Sequence, residues 1–278
     1  MDRIDLHVHT TESDGSFTPS EIVSKALDLG LKAIAITDHD TTTGCSEAVS
    51  AAAGTGLEVV PGIELSTKYN YSTHILGYYI DTQNKALLDF LAQVVADRDR
   101  RNEKLITLLR ADGIDITNDE MHRRFGTVIA KPHFAEILVE AGRAPDFNTA
   151  IRDYLSKGGC YYIPRTTVPI QTCIELILEA GGIPVLAHPY EYNYSKNTLE
   201  ELIEYCMSFG LMGIECQHSS HTPEQIEHLE RLAEHYGLVK TGGTDFHGAP
   251  KPDISLGTGK GQVCVPYEWL AELKKQRK

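Results

Sequence analysis

No two cysteines form a CxxC pair, although the chain has 6: Cys45, Cys160, Cys173, Cys206, Cys216 and Cys264. That spacing argues against a disulfide framework and against a zinc ribbon, and the cysteines read as buried small hydrophobes. No apolar run is long enough to span a bilayer. No basic-then-apolar stretch precedes the first strand either, so the sequence predicts a cytoplasmic protein with no membrane partner. Positive charge is scarce: 26 Lys and Arg against 39 Asp and Glu give a net charge of -13. Such a chain offers no broad basic track for long nucleic acid. Part of the acidity disappears if carboxylates bind cations, so a small anionic substrate near metals remains compatible with it. There are no internal repeats or low-complexity segments, and no feature fixes an oligomeric state. What remains is an ordinary globular composition, 41% hydrophobic and 23% charged over 278 residues. That is enough for one large domain or a domain with an insertion.

The chain opens on a strand that ends in His7-Val8-His9. A strand repeats every two residues, so both imidazoles project to one side. Thr18-Pro19-Ser20-Glu21 then starts a helix, with Thr18 as N-cap, Pro19 at the first position and Glu21 completing a capping box. The helix stops at Gly30. A buried strand over 32–37 ends in Asp38-His39-Asp40, a helix follows over 44–53, and a third strand over 57–63 ends at Glu64. This alternation predicts parallel strands in an α/β fold. The next link, 66–72, is too short for a crossover helix, so the strand over 73–80 is expected to return antiparallel, with His74 beside Glu64.

From 84 to 157 the strand pattern vanishes. Helices are expected over 86–109, 117–124, 131–141 and 146–155. Alternation resumes with helices over 169–180, 198–209, 223–236 and 267–275, and with strands over 183–187, 212–216 and 238–241. These last strands lead into His188, His218, and Asp245 with His247. The expected architecture is a barrel-like α/β domain of residues 1–83 and 158–278, with 84–157 as a helical insertion that caps it.

Histidines and carboxylates thus recur at strand ends, the edge where barrel enzymes carry their chemistry. Mixed imidazole and carboxylate ligands suit zinc, manganese or iron rather than calcium. The ligands are too numerous for one ion, which implies two or three.

At this point the sequence resembles the PHP (polymerase and histidinol phosphatase) phosphoesterases. The resemblance rests on His7-Val8-His9, Asp14-Gly15, Thr37-Asp38-His39, Pro61-Gly62-Ile63-Glu64, His74, Ala187-His188-Pro189 and Thr244-Asp245-Phe246-His247. It extends to Lys131-Pro132-His133-Phe134-Ala135 in the insertion. The resemblance implies a distorted (β/α)7 barrel with a trinuclear site. His7, His9, Glu64 and Asp245 would hold one divalent ion. Glu64 would bridge to a second held by His74 and His188, and Asp14, His39 and His247 would hold a third. Glu64, Asp245 and His188 are the candidate catalytic residues. Two ions about 3.5–4 Å apart deprotonate a bridging water near neutral pH and aim it at phosphorus.

Lys131, His133 and Arg165 are candidate phosphate holders, Lys131 and Arg165 reading equally well as solvated charges. His218 and His221 either line the mouth or sit in an ordinary loop. Tyr69, Tyr71, Tyr190, Tyr192 and Tyr194 either stack on a base or sugar or pack. Within the family the chain is similar to the stand-alone branch with a helical insertion, which hydrolyses nucleoside 3',5'-bisphosphates or opens cyclic sugar phosphates. It departs from the nucleotide branch at Tyr190-Glu191-Tyr192, where Gly-Arg-Tyr is common. Histidinol phosphate phosphatase, 5'-3' exoribonuclease on short RNA and a non-catalytic module are the rival readings. The expected substrate is a small phosphorylated metabolite with more than one phosphate or a cyclic phosphate.

Overall fold

A computed structural model describes residues 2–69, 72–126, 128–164, 167–192 and 195–277. The chain forms two compact units, Met1–Phe90 with Thr167–Lys278, and Leu91–Thr166.

The first unit is built on β1 (Arg3–Val8), β2 (Ala33–Ile36), β3 (Glu58–Lys68), β4 (Ser72–Tyr78), β5 (Ile183–Leu186), β6 (Gly213–Gln217), β7 (Val239–Gly242) and β8 (Val265–Pro266). They lie in one sheet of order β7-β6-β5-β4-β3-β2-β1-β8. Helices α1 (Pro19–Asp28) and α2 (Thr43–Ala52) alternate with the first strands, and helices over Ile170–Glu179, Lys196–Met207, Pro223–Tyr236 and Tyr267–Lys274 follow later. The capping box expected at Thr18 and Glu21 is present. Alternate strand residues serve two cores, as the two-residue period dictates. Ala33 and Ala35 join Ile4, Leu6, Val60, Leu76, Tyr78, Ile183 and Val185. Ile34 and Ile36 join Ile22, Val23, Ala26, Cys45 and Ala48 of α1 and α2.

The sheet is nearly closed into a barrel. Just past β7 the chain bonds back to β1, with Asp245 N donating to His7 O at 2.8 Å and His9 N to Phe246 O at 3.0 Å. Gly243 permits that approach, since a Cβ there would stand 2.3 Å from the His7 nitrogen. Gly243→Ala is therefore expected to destabilise the unit by about 3 kcal/mol through overpacking, read as a lower midpoint in urea unfolding. An unchanged midpoint would show that the two segments part without cost.

Two strand expectations are corrected. β3 does not end at Glu64. Its first part pairs parallel with β2, and its second, from Gly62, pairs antiparallel with β4, so hairpin bonding carries the polar Ser66 and Thr67 into the strand. The short β8, antiparallel to β1, has no hydrophobic run to announce it. Cys160 and Cys264 are exposed, whereas the other four cysteines are buried as expected.

The second unit holds most of α3 (Lys85–Ala111), then α4 (Asn118–Phe125), α5 (Lys131–Glu140) and α6 (Phe147–Thr149), which continues into a π-helical turn over Ala150–Tyr154. It has its own core of Leu105, Leu109, Ile116, Met121, Phe134, Leu138 and Tyr161. Among the described residues, no helix is long and apolar enough to cross a membrane.

Candidate metal centre

The first unit brings its strand-end histidines together on one carboxylate. Glu64 is wholly buried. Its Oε2 lies 3.4 Å from His7 Nε2, 3.2 Å from His9 Nε2 and 3.0 Å from His39 Nδ1. Its Oε1 lies 2.8 Å from both His74 Nδ1 and His188 Nε2. β-pairing explains two of these contacts. His39 bridges directly to Glu64, and Ser66 pairs with His74, which places His74 on the Glu64 face two residues on. His188 follows β5 with φ 22° and Asp245 follows β7 with φ 57°. Such backbone is uncommon in non-glycine residues and persists only where its surroundings hold it.

Asp245 is a second gathering point. Its Oδ1 stands 3.2 Å from His9 Nε2 and 3.6 Å from His7 Nε2, while its Oδ2 stands 3.5 Å from His218 Nε2. Asp14, on the loop after β1, reaches His247 Nε2 at 3.2 Å. Among the described residues five groups of ligand atoms lie close enough to share a cation, three of them His7, His9, Glu64 and Asp245; His9, Asp14, His39 and His247; and His39, Glu64 and His74.

The imidazoles are held with one ring nitrogen facing inward. His7 Nδ1 donates to Glu215 Oε1 at 2.9 Å, and His247 Nδ1 donates to the Asp245 carbonyl at 2.9 Å. A proton on Nδ1 turns Nε2 inward, which is how ligating histidines are ordinarily oriented. Against the effect of burial, the carboxylates of Glu215, Glu64 and Asp245 raise His7 well above the usual imidazole range, so a cation must displace a proton there. Among the described residues, His7 Nε2, His9 Nε2, His39 Nδ1 and Glu64 Oε2 are buried with no hydrogen-bond partner. Buried polar atoms are rarely left so, and bound cations would satisfy them. Burial opposes charge on Glu64, but the imidazoles of His39, His74 and His7 hold its carboxyl well below the usual range. Burial, with His9 and His74 alongside, outweighs Glu64 and Asp14 and pulls His39 down to about 3, the neutral form that binds metal.

The remaining candidates fall out variously. His218 joins the cluster, grouped with His7 and Glu215 and again with Glu191 and Asp245. His221 Nδ1 donates to the Cys216 carbonyl at 2.9 Å, and burial lowers it to about 4. Lys131 and His133 open α5 in the second unit, where the His133 ring accepts from Ala130 N at 3.1 Å and stacks on Phe125 at 4.6 Å. Arg165, Tyr71 and Tyr194 lie outside the described residues. Tyr192 Oη accepts from His74 N at 2.8 Å, Tyr190 bonds His228 at 2.6 Å, and Tyr69 packs on Tyr205 at 4.8 Å.

Glu215 and Asp5, which sequence reasoning did not single out, support this cluster, together with Asp38, which it placed at a strand end and in the motif Thr37-Asp38-His39 without a role. Glu215 bonds His7 and also accepts from His188 N at 2.7 Å. Asp38 holds the Asp14 loop by accepting from Thr10 N at 2.7 Å and Ser13 Oγ at 2.5 Å. Asp5 accepts from Thr244 N and Gly257 N, each at 2.8 Å. Each is a carboxylate within or just past a buried strand, and a charge in an apolar run is the signal that could have marked it.

A nearly closed α/β barrel whose rim converges histidines and acids on a buried carboxylate defines a metal-dependent hydrolase. The family model described as PHP domain matches residues 5–157. The chain is 34% identical over 257 residues to the 5'-3' exoribonuclease Rnm of Escherichia coli, covering 91% of this chain and 87% of that one. It is 34% identical over 271 residues to the 3',5'-nucleoside bisphosphate phosphatase of Chromobacterium violaceum, covering 96% and 95%. A solved structure from Bifidobacterium adolescentis, described as a candidate metal-dependent phosphoesterase, superposes with TM-score 0.85 at 32% identity, over 100% of this chain and 97% of that one. The chain belongs to the PHP family and is a phosphoric ester hydrolase.

Proposed function

We propose that this hydrolase removes phosphate from a small metabolite bearing more than one phosphate group or a cyclic phosphate, using three divalent ions of manganese, zinc or iron. The observation that carries the metal reading is the convergence of His7, His9, His39, His74 and His188 on the buried Glu64. His7, His9, Glu64 and Asp245 would hold one ion, Glu64, His74 and His188 a second, and Asp14, His39 and His247 a third. Bound there, the ions supply an activated water and positive charge for the phosphoryl oxygens. The chain's own work is orientation. Glu215 and the Asp245 carbonyl engage Nδ1 of His7 and His247 and so turn Nε2 inward, and Asp38 keeps the Asp14 loop in place.

The bisphosphatase relative supports a substrate with more than one phosphate, and the net charge of -13 favours a small anion over a long one. Elemental analysis after purification with manganese present is expected to find close to three ions per chain, and fewer than one would remove the trinuclear reading. The substrate is tested by kcat/KM for a nucleoside 3',5'-bisphosphate, a cyclic sugar phosphate, a simple monoester and a short 5'-phosphorylated RNA. The bisphosphate or the cyclic phosphate is expected to exceed the monoester by tenfold or more, since a remotely bound anion positions the reacting one. Preference for the RNA would make the chain an exoribonuclease, like its Escherichia coli relative.

A further inference from the structure

Lys251 has no part in the ligand groups, yet its ammonium bonds Asp245 Oδ2. Asp245 thereby divides its oxygens. Oδ1 faces His7 and His9, while Oδ2 faces Lys251 and, at 3.5 Å, His218. Among the described residues of the first unit, no other lysine or arginine bonds a candidate ligand.

The lysine is held at its base, and its side chain is partly exposed. Its backbone N–H donates to Gly248 O at 3.0 Å, and its carbonyl accepts from Ile254 N at 3.0 Å. The neighbouring Ala249 N donates to Ser16 Oγ at 2.9 Å, which ties this turn to the segment that carries Asp14. Gly248, at φ +73°, presses so near that a Cβ would meet Ser16 Oγ at 2.2 Å. The side chain itself is 38% exposed. It is therefore a positioned cation on a ligand carboxylate, carried by a partly exposed side chain.

We propose that Lys251 is a substrate-binding residue that donates to a non-reacting phosphoryl oxygen. In the cation-free protein its ammonium neutralises Asp245. A dication on Asp245 satisfies that carboxylate and repels the ammonium, which then needs another anion. Glu191 is the nearby alternative, grouped with His218 and Asp245. A phosphoryl group delivered to the rim carries more charge and more acceptor oxygens, and it wins that competition. The inference rests on membership of the phosphoester hydrolases and on Asp245 as a ligand, and it is independent of which metabolite is the substrate.

The test uses Lys251→Met and Lys251→Arg with two calorimetric titrations. Manganese is titrated into metal-free protein, and inorganic phosphate into the manganese-loaded protein. Lys251→Met is expected to weaken phosphate binding about 10- to 100-fold, the loss of one hydrogen bond to a charged group. It is expected to bind manganese at least as tightly as the parent, because no ammonium competes for Asp245. Lys251→Arg should recover most of the phosphate affinity. Unchanged phosphate affinity in Lys251→Met would reduce Lys251 to a counter-ion of Asp245. Weakened manganese binding there would make it a support for the ligand. Either result overturns the proposal.

Discussion

Glu64→Gln is expected to lower kcat/KM at least about 1,000-fold, with a loss of at least one metal ion per chain. The carboxylate lies out of water, and each oxygen faces imidazole nitrogens: His74 and His188 on Oε1, and His7, His9 and His39 on Oε2. An amide has one acceptor oxygen. Its NH2 must face one of those sets, where it takes up the lone pairs that a cation needs. The substitution also removes the charge that offsets the burial of a dication, an unfavourable change in a water-poor site. Size is conserved, so circular dichroism and the unfolding midpoint should change little. Elemental analysis and phosphoester hydrolysis by the manganese-loaded protein are the measurements. Full metal content with kcat/KM within tenfold of the parent would show that Glu64 is not a ligand. Glu64→Asp tests reach separately, because it keeps the charge but shortens the side chain.

The strands leading to the site were legible because parallel strands read as short apolar runs, and His7, His39, His188 and His218 interrupt such runs or follow them. Hairpin pairing of β3 with β4 followed from a link too short for a helix. Convergence on Glu64 was legible only as chemistry, through the number of ligand-type residues at one edge. Its geometry depends on register, which a sequence does not print. β3 shows why. Glu64 lies where the strand exchanges one partner for another, so its neighbours come from both sides. Lys251 was missed for a related reason. It stands in a turn of Ala249-Pro250-Lys251-Pro252-Asp253 that reads as a solvated loop, and only the way this turn folds back brings Asp245, six residues earlier, within its reach. Glu215 was hidden by composition: one acid in Gly213-Ile214-Glu215-Cys216-Gln217 looks like an alternating strand with a solvent face, yet Glu215 is wholly buried.

Burial makes Glu215 the next most consequential position. Its two oxygens accept from two different donors, Oε1 from His7 Nδ1 at 2.9 Å and Oε2 from His188 N at 2.7 Å. Burial alone would favour the acid form, but His7 outweighs it and keeps the carboxyl ionised. Glu215→Gln preserves volume and accepts from one donor only. If the amide oxygen stays with His188, the NH2 faces His7 and drives the imidazole proton from Nδ1 to Nε2. That proton then points at Glu64 and Asp245, where the cation belongs. If the oxygen stays with His7, the NH2 meets the His188 backbone N–H, and the turn that holds His188 at φ 22° loses its acceptor. Either arrangement costs about 10- to 100-fold in metal affinity, the usual cost of removing a group that orients a ligating histidine. Activity at subsaturating manganese should fall by about 100-fold, and much of the loss should be recovered as manganese is raised. That recovery separates Glu215→Gln from Glu64→Gln, in which a ligand itself is gone and excess metal restores little. Manganese titration of both variants beside the parent gives the comparison. Parental metal affinity in Glu215→Gln would mean that the orientation of His7 is set without Glu215.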